Sequence, residues 1–182
     1  MRIGAKRFKG AAETMKTAKS IILPSIFTAL LIGGQYALSG IYGIEIVTVL
    51  FLCFCYKYGI RQGLLVANAF SLLRCFIFGF YPCVIVLYLI YYNLFALVFG
   101  AFGNAFGHEY GVKRHIVIVI FAVLMTVCFT MIDNVLTPLW FGFSMNAAKS
   151  YFMASLPIMT TQSICALVTV TVFFPVVLKF LK

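Results

Sequence analysis

The sequence predicts an all-α integral membrane protein with six transmembrane helices and with both termini in the cytoplasm. Of the 182 residues, 64% are hydrophobic and only 10% are charged, and the mean hydropathy is +1.09. Soluble proteins carry about 25% charged residues. The apolar residues form continuous runs rather than alternating with polar ones, which excludes a β-barrel. At roughly 20 apolar residues per crossing, the chain accommodates about six helices. Residues 1–182 are therefore predicted to form a single membrane domain.

The predicted spans follow from the apolar runs and from the breaks between them. A basic segment, residues 1–19, precedes the first run and is predicted to be cytoplasmic. That run is too long for the ~7–15-residue core of a signal peptide, so it is predicted to be a retained span. The breaks carry Gly, Pro or charged residues and fall at 40–43, 57–61, 79–82, 104–115 and at Thr137-Pro138, which opens a loop around 140–146. The six spans cover residues 21–39, 44–56, 62–78, 83–102, 116–132 and 150–177; Pro157 and Pro175 are expected to kink or trim the last.

The basic residues orient the predicted spans. With six crossings, 12 of the 14 Lys and Arg residues fall on the side that holds both termini. Loops rich in Lys and Arg stay in the cytoplasm, so this side is predicted to be cytoplasmic. The net charge of +10 arises on that side, next to the spans, which favours anionic lipid headgroups rather than nucleic acid as partners.

Four charged residues remain for the outer half: Glu45, Arg74, Asp133 and Lys149. Ionisable groups at membrane depth usually mark a site or a pathway, although two structural ion pairs or headgroup contacts are an alternative. Aromatic residues at the same level are either interfacial anchors or walls of a small-molecule pocket. The candidate substrate-binding residues are Glu45, Arg74, Tyr81, Tyr88, Asp133, Asn134, Trp140, Asn146 and Lys149.

Two stripes of small residues, at which another helix can approach closely, occur in the predicted spans. The first stripe lies on one face of the first span and consists of Ser25, Ala29, Gly33 and Ala37. It is a surface either for a partner subunit or for packing within the chain. The second stripe lies at the inner end of the fourth span and consists of Ala96, Gly100, Gly103 and Gly107. Packing within the chain is the favoured interpretation there.

The sequence contains no motif that predicts an enzyme. A GxxxxGK[ST] phosphate-binding loop and a GxSxG nucleophile motif are both missing from the sequence. His108, Glu109 and His115 lack the i, i+4 spacing that places two imidazoles on one helix face. The six cysteines lie in or at the ends of apolar runs and are predicted to be reduced packing residues. No catalytic residue, metal or cofactor is predicted.

Three stretches of the chain resemble a known family of membrane proteins. Residues 43–48 (GIEIVT), 58–63 (YGIRQG) and 69–74 (AFSLLR), together with the small motif from Ala29 to Gly33, resemble the substrate-binding S component of energy-coupling factor vitamin transporters. The resemblance extends to the architecture of nearly the whole chain, with six spans, an inner N-terminus and polar residues near the outer helix ends. Gly33 stands where the family's Ala-xxx-Ala coupling motif has its second Ala, and it preserves the close approach.

The resemblance implies a binding subunit in a prokaryotic plasma membrane. A water-soluble vitamin or precursor would be captured from outside, held by the outer loops and by the outer halves of the last three helices. The face formed by Ser25, Ala29, Gly33 and Ala37 would dock on a transmembrane coupling subunit driven by two ATPase subunits, and the S component would tip over in the membrane to release its substrate.

A stand-alone secondary carrier or small channel is the alternative, with the carboxylates of Asp133 and Glu45 coupling transport to protons. Such carriers are often built from inverted repeats, and residues 1–91 show no convincing repeat in residues 92–182. A membrane-embedded enzyme is the least favoured class.

Overall fold

The computed structural model describes residues 2–40, 46–106 and 111–180, and all regular structure within these ranges is helical. The helices are α1 (Arg2–Ala37), α2 (Val47–Leu73), α3 (Cys75–Phe78), α4 (Pro82–Phe106), α5 (Val112–Phe141) and α6 (Met145–Phe180). Five stretches among the described residues are long and apolar enough to cross a membrane: Ser20–Ala37, Val47–Phe78, Pro82–Phe106, Val112–Phe141 and Met145–Phe180. The prediction of an all-helical, multi-pass type of membrane protein is confirmed at this level.

The chain bends sharply at Gly59, inside α2. This glycine has φ 77° and ψ −178°, a conformation that is essentially restricted to glycine. Before the bend, Phe51 stacks on Phe95 of α4 with 5.4 Å between ring centroids, and the carbonyl of Tyr56 lies against Gly103. The chain therefore follows α4 towards its C-terminal end until it reaches Gly59.

After Gly59 the chain runs the other way along α4. The backbone nitrogen of Ile60 lies 2.7 Å from an ideal Cβ position on Gly100, and Phe70 packs edge-on against Tyr92 at 4.9 Å. Before Gly59, increasing residue numbers in α2 pair with increasing numbers in α4; after Gly59, they pair with decreasing numbers. Residues 47–58 (the first arm) and residues 60–73 (the second arm) are therefore antiparallel, and the reversal falls within the predicted break at 57–61.

The two arms differ in length. At 1.5 Å per residue the first arm is roughly 18 Å long, and residues 60–78, including α3, reach roughly 28 Å. The hydrocarbon core of a bilayer is about 30 Å thick. The described part of the first arm is thus shorter than a full crossing, whereas the second arm together with α3 approaches one.

The remaining helices pack around this hairpin and α4. Helix α1 runs antiparallel to the first arm, with Phe27 packed on Phe54 at 4.4 Å. Helix α5 covers α4 through Phe129, which meets Tyr91 at 4.8 Å, and α6 packs on α5 and on the first arm. The core is rich in aromatic side chains and lies mainly between the hairpin of α2 and α4.

The bundle has two chemically different ends. At one end, here called the Asp133 end, hydrogen bonds join Gln35 to Arg74 and Tyr88 and join Tyr151 to Asp133. Tyr88, Asp133 and Tyr151 line one cavity there. The other end is called the basic end and carries Lys57, Arg61, Lys113, Arg114 and Lys179. The N–H of the Arg114 side chain donates to the carbonyl of Phe106 at 2.6 Å and thus joins α5 to the end of α4.

A pair of amides links the second arm to α4 midway between the two ends. Asn68 and Asn93 each donate an Nδ2 hydrogen bond to the other's Oδ1 at 3.2 Å. Each Nδ2 also donates to the carbonyl four residues earlier in its own helix, at 2.8 Å. Every N–H of the two amides therefore has an acceptor.

The predicted loop at Thr137-Pro138 is wrong. Helix α5 continues through Pro138 to Phe141 and ends at Gly142, which adopts the left-handed conformation with φ 63°. The amide N–H of Phe143 then donates to the Pro138 carbonyl at 2.9 Å. A glycine in this conformation is the usual helix C-cap, so Gly142 rather than Pro138 ends the helix. Helix α6 begins at Met145, and Pro157 and Pro175 lie inside it without ending it.

The predicted loop at 104–115 is also too long. Helix α4 continues to Phe106, and α5 begins at Val112, so Asn104 and His115 are both helical. Residues 107–110, including His108 and Glu109, lie outside the described residues. The described polar residues of this stretch, Asn104, Lys113, Arg114 and His115, lie instead in the last turn of one helix and the first turns of the next.

The two small-residue stripes have opposite surroundings. Ala96 is fully buried, and an ideal Cβ on Gly100 or Gly103 would overlap the backbone of Ile60 or Tyr56. The predicted packing of this stripe within the chain is confirmed for these three residues, while Gly107 lies outside the described residues. The stripe on α1 is different: Ser25, Ala29, Gly33 and Ala37 are all exposed, and no atom lies within 4 Å of an ideal Cβ on Gly33.

Candidate substrate site

A cavity of about 510 Å³ opens at the Asp133 end, between α4, α5 and α6. Small-molecule sites typically occupy 300–1,000 Å³ and combine apolar walls with a few polar groups. This cavity has that composition, with six aromatic residues and one charged residue among those that line it. The lining residues are Tyr81, Pro82, Cys83, Val84, Leu87, Tyr88, Phe129, Asp133, Thr137, Trp140, Phe141 and Tyr151.

Asp133 is held in place by two hydroxyl groups. Its Oδ1 accepts a hydrogen bond from Thr137, one turn further along α5, at 2.6 Å. Its Oδ2 accepts one from the phenol of Tyr151 on α6, at 2.7 Å. Thr137 also contacts Cys83 of α4, with 3.7 Å between Oγ1 and Sγ. The carboxylate therefore has a fixed orientation at the junction of three helices.

Both donors to Asp133 are neutral. Among the described residues, no basic side chain forms an ion pair with this carboxylate. Lys149, which lies on α6 two residues before Tyr151, is exposed and is not among the described residues that line the cavity. Asp133 itself is partly buried. Its negative charge is thus stabilised by hydrogen bonds and is not balanced by a cation within the described part of the chain.

Arg74 lies behind Tyr88, outside the cavity wall. Its guanidinium carbon is 4.0 Å from the centroid of the Tyr88 ring and 4.9 Å from that of Phe78. Its Nε donates to Oε1 of Gln35 at 3.2 Å, and Nε2 of Gln35 donates to the Tyr88 hydroxyl at 3.3 Å. Stacking on aromatic faces and hydrogen bonding to a neutral amide stabilise this cation.

A smaller cavity of about 250 Å³ lies beside the first and shares Phe129, Asp133 and Tyr151 with it. It extends towards Gln162 along the groove between α5 and α6. Nearby, Nδ2 of Asn134 donates to Oγ of Ser155 at 2.8 Å. The Oδ1 atom of Asn134 is buried and has no hydrogen-bond partner in the described structure.

The predicted substrate-binding residues fall into three groups. Tyr81, Tyr88, Asp133 and Trp140 line the main cavity, and Arg74 contacts it through Tyr88. Three others do not line either cavity: Asn134 bonds to Ser155, while Asn146 and Lys149 are exposed on the first turns of α6. Glu45 lies outside the described residues.

Sequence reasoning missed the residues that orient the charged groups. These are Gln35, Cys83, Thr137 and Tyr151. Only Thr137 had a local signal, since it lies four residues after Asp133 and so faces it along one side of a helix. Tyr151 and Gln35 reach their partners from other helices, which spacing along the chain does not reveal.

The described groups around the cavity are suited to binding a ligand. The described residues contain no group of three His, Cys, Asp or Glu side chains that could hold a metal ion. All six cysteines are free thiols, and four of them are buried. The arrangement presents one oriented carboxylate and several aromatic surfaces to a ligand.

Comparisons of this chain with protein-family models, with curated proteins and with solved structures found no match.

Proposed function

We propose that this chain is the substrate-binding membrane subunit, or S component, of an energy-coupling factor importer. It captures a water-soluble vitamin or precursor at the Asp133 end and delivers it inward together with a coupling subunit and two ATPase subunits. The observation that carries the proposal is the exposure of all four residues of the α1 stripe. A small-residue helix face is a surface for close helix contact in lipid, and the described helices leave it uncovered.

The position of the cavity supports the same proposal. It lies between α4, α5 and α6, whereas the uncovered stripe lies on α1. A ligand and a coupling subunit can therefore bind at the same time without competing for one surface. This separation is what an S component requires, because it must keep its substrate while it docks.

The proposal includes six membrane crossings with the basic end in the cytoplasm. The reversal at Gly59 supports it, because the two arms then run in opposite directions along α4 and Lys57 and Arg61 lie together at the basic end. Labelling of single cysteines in intact cells, in a variant without native cysteines, tests the topology. A cysteine at position 57 is expected to resist a membrane-impermeant maleimide and one at position 146 to react; the reverse pattern contradicts the orientation.

Co-purification tests the function itself. The tagged chain is co-expressed with the coupling and ATPase subunits of an energy-coupling factor transporter and purified in detergent. Ala29→Leu places a bulky side chain on the α1 stripe, and we expect it to weaken association at least roughly tenfold, about 1.4 kcal/mol. Ala101→Leu is the matched control, because Ala101 is also exposed but lies on α4.

Two results contradict the proposal. One is a wild-type chain that retains no coupling subunit. The other is equal retention by the wild-type chain and the Ala29→Leu variant. A solitary carrier gives a further distinct result, since it transports substrate in liposomes without ATP or partner subunits.

A further inference from the structure

Resting on the proposed function, we propose that the substrate is an organic cation carried on a ring, and that Asp133 is its counter-ion. The observation is the charge of the main cavity. Of the 12 described residues that line it, Asp133 is the only charged one, and none is basic. A carboxylate in a largely apolar site is stabilised by an opposite charge, and the described residues do not supply one.

The carboxylate of Asp133 retains capacity to bind a cation. An ionised carboxylate has about four acceptor positions, and here one hydrogen bond reaches each oxygen, from Thr137 and from Tyr151. Both hydroxyl donors fix the orientation of the carboxylate and leave its charge uncancelled. A ligand ammonium or ring cation therefore finds a pre-oriented partner.

The aromatic walls favour the same ligand class. The faces of Phe, Tyr and Trp rings attract cations within about 6 Å of the ring centroid, and rings arranged around a site select quaternary ammonium groups. Phe129, Trp140, Phe141 and Tyr151 line the cavity together with Asp133. An anionic ligand is disfavoured for two reasons: it would be repelled by the carboxylate of Asp133, and it would lie against the negative faces of these rings.

Arg74 determines where in the cavity the cation binds. Its guanidinium already covers one face of the Tyr88 ring at 4.0 Å. The positive charge behind this ring makes the α4 wall less favourable for a second cation. The ligand cation therefore belongs on the α5 and α6 side, next to Asp133. The volume of about 510 Å³ leaves room for a ring beside the charged group.

Trp140 makes the occupancy of this cavity measurable. It is the only tryptophan in the chain and it lines the cavity, so fluorescence excited at a wavelength that tyrosine does not absorb reports on this site. The probe is benzyltrimethylammonium, with benzyl alcohol and benzoate as its neutral and anionic counterparts. Each compound is titrated up to about 10 mM into the purified full-length chain in lipid nanodiscs.

We expect a saturable fluorescence change with benzyltrimethylammonium and none with benzyl alcohol or benzoate. Asp133→Asn keeps the shape of the side chain and removes its charge, so it is expected to weaken cation binding at least tenfold. Glu13→Gln is the matched control, because it makes the same chemical change in the basic N-terminal segment, and it is expected to bind as the wild type does. The melting temperature without ligand establishes that the Asp133→Asn variant is folded.

If Asp133→Asn does not fold, Tyr151→Phe provides the second variant. Loss of the Oδ2 hydrogen bond leaves the charge in place but less well oriented, and a several-fold weaker affinity for the cation is expected.

An absent response to benzyltrimethylammonium overturns the inference, as does an equal response to benzyl alcohol or unchanged binding in the folded Asp133→Asn variant. If the coupling subunits co-purify but the cation does not bind, the cation site is wrong and the proposed function stands. If the cation binds and no coupling subunit co-purifies, the cation site stands and the proposed function is wrong.

Discussion

The stripes on α1 and α4 contain similar small residues but meet opposite surroundings. On α4, backbone atoms of Tyr56 and Ile60 occupy the space that a side chain at Gly103 or Gly100 would need. On α1, the space around Gly33 is open. Small residues at helical spacing permit close contact in lipid, but they do not specify whether that contact forms within the chain or with another protein. The element that lies opposite decides this.

On α4 that element is the reversal at Gly59. The chain turns next to α4, so the ends of both arms bring backbone atoms, together with the side chain of Ile60, directly against this helix. The backbone of α2 can approach α4 this closely only where α4 has no side chain in the way. Gly100 and Gly103 therefore lie in the part of α4 that faces the reversal. Nothing comparable in the described chain faces α1 along its exposed stripe.

The largest expected effect comes from Gly103→Ala. The new Cβ would overlap the carbonyl of Tyr56, and because that group is backbone, α4 or the hairpin must move. We expect a loss of about 3 kcal/mol or more in the free energy of unfolding, although alanine favours a helix over glycine by about 1 kcal/mol. Thermal unfolding in detergent, followed by size-exclusion chromatography, measures it.

Gly33→Ala is the matched control on the other stripe. The same substitution meets no atom within 4 Å, so only the gain in helix propensity remains. We expect unchanged or slightly higher stability, by up to about 1 kcal/mol. Equal effects of the two substitutions would contradict the proposed difference between the stripes.

A smaller effect is expected from Gly59→Ala. At φ 77° and ψ −178°, alanine is strained by about 1–3 kcal/mol, and its Cβ would also lie 3.3 Å from Oδ1 of Asn104. The hairpin should loosen, and urea or heat should unfold the variant earlier. Gly111→Ala serves as the control, since Gly111 has φ −121° and open space around it. If both variants unfold alike, the reversal is not held by this conformation.

The smallest effect is expected from Gly63→Ala, which tests the contact between the two arms. Its Cβ would lie 2.9 Å from Sγ of Cys55, an atom that can move, so we expect a cost of about 1 kcal/mol. In a Cys55→Ala background the sulfur is gone, so the same substitution should cost less, and only the 3.2 Å approach to Cβ of Ala96 remains. A double-mutant cycle of melting temperatures measures the coupling. Additive effects would show that the arms do not touch at this position.

The sequence predicted the helices well because continuous apolar runs leave the backbone no other partner in lipid. It also located the reversal, since Gly59 stands between Lys57 and Arg61 in an otherwise apolar stretch. The predicted end of α5 was wrong because Pro138 was taken to end the helix. A proline loses one hydrogen bond and can remain inside a membrane helix, whereas Gly142 changes the chain direction.

The candidate site was predictable only in part. Charged residues in apolar runs are conspicuous, so Asp133 and Arg74 could be selected from sequence alone. Their partners could not, because Tyr151 and Gln35 approach from other helices. Lys149 was selected because it is a charged residue near a predicted outer helix end, but it is exposed and does not line either cavity. Which side of a helix faces its neighbours cannot be predicted from a local pattern when the helix is apolar on all sides.

The reciprocal pair formed by Asn68 and Asn93 has a consequence for folding accuracy. Apolar helices can slide past one another in lipid at little cost, since one hydrocarbon contact replaces another. Here a shift of the second arm by one residue along α4 would separate the two amides and leave polar groups without partners on the outside of the bundle. An amide without a hydrogen-bond partner has an unfavourable free energy in hydrocarbon. The pair therefore selects one register for two helices that their apolar surfaces alone would not align.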